Sequence, residues 1–305
     1  MNIYFMYFEA RSNPETAPVA VYLAGGPGEA SSYVALNSEN GPCVVNHEGT
    51  NTTINPWSFN NHVNTLYIDQ PIQAGFSYSS LINGTYNSTS LVVTPNNATS
   101  TPLPPGQGIF PDQSVSATTN TTVASARALW AFSEHWFSSF PGYNTSSKEI
   151  SFWGGSYAGF YVPELAATVS KRLKQLPQYH PLKEKDLRVD AIGITNGCID
   201  FYHQIEGFPQ YANNNTYGVK FYNDTFYQEI QNNITKPGGC LDLTEQCRQA
   251  GQVGDPDYTG NNATVNEMCI NATLFCATII TPLYTINQVS ETSLFPLSND
   301  TVYLY

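Results

Sequence analysis

A serine hydroxyl set among glycines is the clearest chemical feature of the chain: Gly154-Gly155-Ser156-Tyr157-Ala158-Gly159. Serine is a weak nucleophile at its free pKa, so using it requires a general base and donors for the oxyanion that forms. Small neighbours let the backbone turn sharply enough to lift the hydroxyl clear of a sheet. The pattern is close to a G-x-S-x-G nucleophile elbow, with the second glycine one place late. Upstream, Ile150-Ser151-Phe152-Trp153 reads as a strand. Downstream, Val162, Leu165, Ala166, Val169 and Leu173 recur at helical spacing. Pro163 lies too far along for the first turn of a helix starting at Ser156, so the expectation is a short turn with a kink or restart there. Free N–H groups after Ser156 would face a developing negative charge. Taken alone, a G-x-S match is equally an ordinary turn.

The elements that would position this serine are legible on both sides. Residues 1–9 read as an opening strand, and Val19-Ala20-Val21-Tyr22-Leu23 as a buried one running into Ala24-Gly25-Gly26-Pro27-Gly28. A glycine loop after a buried strand brings backbone N–H groups close to a ligand, although alone it is a plain turn. Ser38-Glu39-Asn40-Gly41-Pro42 is a turn with one carboxylate. Asn64-Thr65-Leu66-Tyr67-Ile68 is a strand ending in Asp69-Gln70-Pro71. By spacing, Glu39 and Asp69 read as solvated or capping carboxylates. Residues 81–122, rich in Asn, Ser, Thr, Pro and Gly, read as a surface excursion of little periodicity. Val123, Ala126, Trp130 and Phe137 mark a helix, and residues 189–195 a further strand. This order is α/β. Val219, Tyr222, Phe226 and Ile230 suggest a helix inside a long insertion.

Composition narrows the setting. With 12 Lys+Arg against 24 Asp+Glu, a net charge of −12, the 305 residues carry no basic footprint for nucleic acid. Asn-x-Ser/Thr triplets begin at Asn51, Asn83, Asn87, Asn97, Asn120, Asn144, Asn214, Asn223, Asn233, Asn262, Asn271 and Asn299. Together with paired-looking cysteines they argue for a secretory route. Cys240, Cys247, Cys269 and Cys276 form two pairs of equal spacing, suited to nested bridges; no His lies among them and no metal is expected. Cys43 and Cys198 cannot be paired from sequence. The first residues lack a signal peptide's basic start and cleavage site, and no apolar run is read as long enough to span a membrane. The expectation is that the true N-terminus lies upstream.

Four ordered motifs carry a resemblance: Gly25-Gly26-Pro27-Gly28 with Ser31-Ser32, Ser38-Glu39-Asn40-Gly41-Pro42, Asp69-Gln70-Pro71 through Gly75-Phe76-Ser77-Tyr78, and the Ser156 elbow. Over nearly its whole length the chain resembles the serine carboxypeptidases of the α/β-hydrolase fold, as a fungal-like secreted member truncated at both ends. The resemblance implies an incomplete mixed α/β-hydrolase sheet: a core over residues 1–198 with the 81–122 excursion, then a disulfide-bearing cap insertion and the start of the remaining core over 199–305. It implies Ser156 as nucleophile, and the backbone N–H groups of Gly26 and Tyr157 as oxyanion hole. Gly25 and Glu39 would contact the free C-terminal carboxylate of a peptide substrate. Where the family usually has an Asn and a second Glu, this chain has Ala24 and Gly155.

The triad Asp and His are expected beyond Tyr305. His47, His62 and His135 precede the serine, His180 reads as a surface residue, and His203 follows Asp200 too closely for the two to occupy separate strand ends. The activity implied is hydrolysis of C-terminal residues of peptides, with no cofactor and no nucleic-acid or membrane partner. Oligomeric state is left open. An acyltransferase or esterase on the same scaffold, or a non-catalytic remnant, are the alternatives. A lone Glu39 facing a substrate carboxylate must be protonated to donate a hydrogen bond, because two like charges repel at close range. Peptidase activity is therefore expected to rise toward acidic pH; a pH profile flat from acidic to alkaline conditions would contradict this.

Overall fold

In the computed structural model, residues 1–37, 40–90, 92–96 and 104–285 are described. They divide into two compact units, Met1–Gly197 and Cys198–Tyr305. The first is built on five strands: β1 (Phe5–Phe8), β2 (Val19–Leu23), β5 (Asn64–Ile68), β9 (Glu149–Gly155) and β10 (Arg188–Thr195). Their order across the sheet is β1-β5-β2-β9-β10, with β1 antiparallel to β5 and the other pairs parallel. This open mixed α/β sheet agrees with the fold class expected from sequence. β2 and β5 are buried at every residue, as strands covered on both faces must be.

The period-two alternation of strand side chains decides what each face packs. From β2, Val19, Val21 and Leu23, and from β9, Ile150 and Phe152, meet helix α2 (Thr122–Ser139) and helix α3 (Ala158–Gln175) through Leu129, Trp136, Val162 and Leu165. The alternate residues Tyr22 and Ala24 pack with Tyr67 and with Val34 and Ala35 of the short helix α1 (Ser31–Leu36). Contrary to the expected restart at Pro163, α3 runs unbroken from Ala158. Pro163 removes one donor from the ladder, but Tyr161, Val162, Leu165, Ala166 and Val169 are all buried, and that packing holds the helix together.

Of the two readings of Asp69, solvated or capping, the structure supports capping. Asp69 is fully buried and accepts from Ser32 N at 2.8 Å, Ser32 Oγ at 2.9 Å and Phe76 N at 3.1 Å. The carboxylate thus ties the end of β5 to the first turn of α1, directly behind the glycine loop. Gly75 (φ +55°) is required beside it, because a Cβ there would lie 2.1 Å from Asp69 Oδ2. Ser77 Oγ donates to Asp69 O at 2.7 Å.

Residues 81–122 hold more order than their composition suggested. Strands β6 (Leu81–Asn87), β7 (Val92–Pro95) and β8 (Gln107–Pro111) form a three-stranded antiparallel sheet in the order β7-β6-β8. A further two-stranded hairpin joins β3 (Cys43–Val45) to β4 (Thr52–Ile54). A four-residue helix, α4 (Pro181–Glu184), follows α3.

The second unit is helical: α5 (Phe201–Gln204), α6 (Gly207–Asn213), α7 (Asp224–Thr235), α8 (Cys240–Gly254) and α9 (Ala263–Thr285). The helix suggested from Val219 begins only at Asp224, because Asn223 caps it by accepting from Phe226 N. Two disulfides, Cys240–Cys276 and Cys247–Cys269, join α8 to α9. Seven residues is nearly two helical turns, so each pair of cysteines shares a helix face, and the bridges nest as expected. Cys43 and Cys198 are both free. One expectation fails here. The stretch Ala263–Ile280 of α9, mean hydropathy 1.3, meets the length and composition for a membrane span. Its Ala272, Cys276 and Ile279 are buried within the second unit.

Replacing Asp69 by Ala removes the acceptor from three donors, two of them buried. It is expected to lower unfolding free energy by roughly 3 kcal/mol or more, read as a shifted urea midpoint; an unchanged midpoint would show that the carboxylate does not hold the loop.

Candidate active site

Ser156 occupies the left-handed region, φ +56°, which costs a non-glycine residue on the order of 1–3 kcal/mol. The surrounding backbone enforces it. Its N–H donates to Thr195 O at the end of β10 (3.0 Å) and its carbonyl accepts from Gly159 N (3.0 Å). Residue 154 must be glycine, since a Cβ would lie 2.5 Å from both Ala158 Cβ and Leu23 O. That contact also bears on the motif's usual second-glycine position, which alanine fills here. The side chain at 158 faces residue 154, and alanine fits only because 154 has none.

The glycine loop closes over the same turn. A Cβ on Gly25 would lie 2.7 Å from Gly155 O, 2.9 Å from Tyr157 N and 3.0 Å from Ser156 Cβ. Gly26 takes φ +102°, and a Cβ there would strike Gly28 N at 2.6 Å and Glu29 N at 2.7 Å. Ala24 N donates to the buried Ser31 Oγ at 2.9 Å, and Glu29 N donates to Gly25 O at 3.3 Å, so the loop is held at both ends. Among the described residues, the N–H groups of Gly26 and Tyr157 donate to no protein acceptor. α3 begins at Ala158 rather than Ser156, with Tyr157 as its N-cap and no side-chain cap. Two uncommitted donors therefore flank the serine.

The position of Gly155 contrasts with that of its neighbour. A Cβ there would meet nothing closer than Thr195 O at 3.5 Å, so space for a Cβ does not require glycine at 155. Ala24 is buried with Tyr22, Val34, Ala35 and Tyr67. Glu39 lies outside the described residues. The residue after it, Asn40, is fixed by Tyr67 Oη and Ser58 Oγ, which donate to its carbonyl at 3.0 and 3.1 Å. Burial raises the Tyr67 hydroxyl far above the usual tyrosine range, so it acts as a neutral donor.

None of the histidines of the first unit bonds to Ser156. His180 Nε2 lies 3.1 Å from Glu134, and its Nδ1 accepts from Leu182 N at 3.3 Å, a local tie at the start of α4. In the second unit Asp200 and His203 are joined, Oδ2 to Nδ1 at 2.5 Å. That pair spans one helical turn. The other Asp200 oxygen takes Arg248 at 2.6 Å and caps α5 through Tyr202 N. Slight burial pushes the Asp200 pKa up, but hydrogen bonds from His203 and Arg248 outweigh it and hold the carboxyl below its ordinary value. The Thr195 carbonyl has no signal in the sequence, whereas Ser31 and Asp69 stand within the motifs quoted above but their partners do not show there.

Comparisons with known proteins identify the family. The profile described as "Serine carboxypeptidase" matches residues 1–294. The chain is 38% identical to carboxypeptidase S1 homolog A of Trichophyton rubrum over 96% of its own length and 45% of that protein. It is 36% identical to a carboxypeptidase Y homolog of Arthroderma benhamiae, covering 93% and 46% respectively. It thus spans less than half the length of these relatives. Among solved structures it matches Kex1(Δ)p, a prohormone-processing carboxypeptidase from Saccharomyces cerevisiae, with a TM-score of 0.58 and 20% identity over 91% of this chain and 48% of that one, a likeness of fold. By the family profile over residues 1–294 and by 36–38% identity to these relatives along most of its length, the chain belongs to the serine carboxypeptidase family.

Proposed function

We propose that this chain carries the nucleophile and oxyanion hole of a serine-type carboxypeptidase acting on peptides with a free C-terminus. The observation that supports it best is the pairing of a left-handed Ser156 with two uncommitted backbone donors, Gly26 N–H and Tyr157 N–H. Ser156 Oγ attacks the last peptide carbonyl while a general base removes its proton. The oxyanion of the tetrahedral intermediate accepts from both N–H groups. The C–N bond then breaks, the amine leaves with the proton, and the acyl-serine is hydrolysed by water. The base and its aspartate are assigned to sequence outside these 305 residues, because the first unit's histidines do not bond to Ser156 and the chain spans under half of its relatives.

Gly25 N–H and Glu39 are assigned to the substrate's carboxylate. The helical second unit, with its two cystines, is assigned as a cap insertion. The cystines and the twelve Asn-x-Ser/Thr triplets support passage through the secretory pathway to an extracellular or vacuolar destination. One observation favours a second reading, an esterase or acyltransferase: position 155, where the family usually carries a carboxylate-binding Glu, holds a glycine that space does not require.

Assays on the product of the complete reading frame separate these readings. Free peptides are expected to be cleaved and C-terminally amidated ones spared, with Ser156→Ala lowering kcat by on the order of 10⁴-fold or more. Equal turnover of amidated peptides, or hydrolysis of esters alone, would overturn the peptidase assignment. Gly25→Ala is expected to lower kcat/KM by about 100-fold, since its Cβ would press on the Tyr157 donor. Gly155→Glu is expected to lower KM for free peptides, and Gly155→Ala to fold normally; a destabilised Gly155→Ala would contradict the space found for a Cβ at this position.

A further inference from the structure

One face of the β7-β6-β8 sheet carries apolar side chains that are exposed among the described residues. Leu81, Val92 and Ile109 are 51%, 53% and 65% exposed. Strand alternation places Leu81, Asn83, Thr85 and Asn87 of β6 on one face. Register then sets two asparagines directly against the apolar pair: Asn83 opposite Ile109, and Asn87 opposite Val92. On the other face Gly84 is closely covered by Val93 and Phe110, and Tyr86, itself 40% exposed, lies 6.5 Å from Phe110.

Both asparagines begin acceptor triplets, Asn83-Gly84-Thr85 and Asn87-Ser88-Thr89, and both are exposed. Asn87 is also arranged for modification. Its Oδ1 accepts from Thr89 N at 2.9 Å and Ser90 N at 3.1 Å, a turn made from local contacts that leaves Nδ2 uncommitted. Other triplets are less suited. Asn262 Nδ2 donates to Gly254 O at 2.9 Å, and Asn233 is half-buried within α7 with its Oδ1 taken by Lys236.

We propose that N-linked glycans on Asn83 and Asn87 are the partners of this face, covering Leu81, Ile109 and Val92. In the attachment, asparagine Nδ2 forms a bond to the anomeric carbon of an oligosaccharide carried on a polyprenyl diphosphate. The bond from that carbon to the diphosphate oxygen breaks, the diphosphate leaves with the electron pair, and the amide nitrogen loses one proton. The apolar C–H faces of the first sugars lie over the two side chains in register, and their hydroxyls face water. This accounts for an apolar sheet face on a chain otherwise rich in polar residues.

The test uses the protein made through a eukaryotic secretory pathway, with site occupancy read by glycopeptide mass spectrometry. It does not depend on peptidase activity, so it fails or succeeds separately from the reading above. Occupancy is expected at Asn83 and Asn87 and not at Asn262. Asn83→Gln combined with Thr89→Ala should abolish both glycopeptides, increase binding of an apolar dye and raise aggregation, with circular dichroism unchanged. In the same double variant, Ile109→Thr and Val92→Thr should return dye binding to the level of the glycosylated protein. Unmodified Asn83 and Asn87 would overturn the proposal, as would dye binding that does not respond to loss of the glycans.

Discussion

The structure depends on one constrained turn, the left-handed Ser156 between β9 and α3. A serine in this conformation stores strain on the order of 1–3 kcal/mol and persists only where its surroundings fix it. Three contacts do so: the Thr195 carbonyl on its N–H, the Gly159 N–H on its carbonyl, and the close approach of Leu23 O to Gly154. Each comes from a different segment, so the turn requires β2, β9, β10 and α3 to be in place together. The fully buried side chains of β2 and β9 and the buried stripe of α3 supply that assembly.

The second half of the site is positioned from behind. Asp69 at the end of β5 holds the start of α1, Ser31 holds Ala24, and the glycine loop between them is brought within van der Waals contact of the elbow. Backbone donors set in this way need no reorganisation when charge develops, which is the source of oxyanion stabilisation. The sterics at Gly25 and Gly154 are absolute, whereas Gly155 has room for a side chain. Structural need therefore explains Gly25 and Gly154, whereas a Cβ at position 155 would meet only ordinary van der Waals contacts.

Much of this was legible in the sequence because the signals were local. Apolar runs gave β2 and β5, helical spacing gave α2 and α3, and the glycine–serine pattern gave the elbow. Equal seven-residue spacing gave the nested cystines. What was missed depended on contacts between distant segments. Nothing near Asp69 shows that its partner is Ser32, 37 residues away. The 81–122 sheet was hidden because its Asn, Gly and Thr residues resemble loop composition, although period-two alternation runs through β6. Packing overrode the local signal at Pro163, and the apolar length of α9 emerged only once its helix was continuous.

The central claim is that this geometry makes Ser156 a working nucleophile, and covalent labelling tests it most directly. A fluorophosphonate reacts with a serine only when the hydroxyl is activated and an oxyanion site receives the phosphoryl oxygen. On the product of the complete reading frame, peptide mapping is expected to place the adduct on Ser156 and to lose it in Gly25→Ala. An unlabelled Ser156, or an adduct at another serine, would contradict the account.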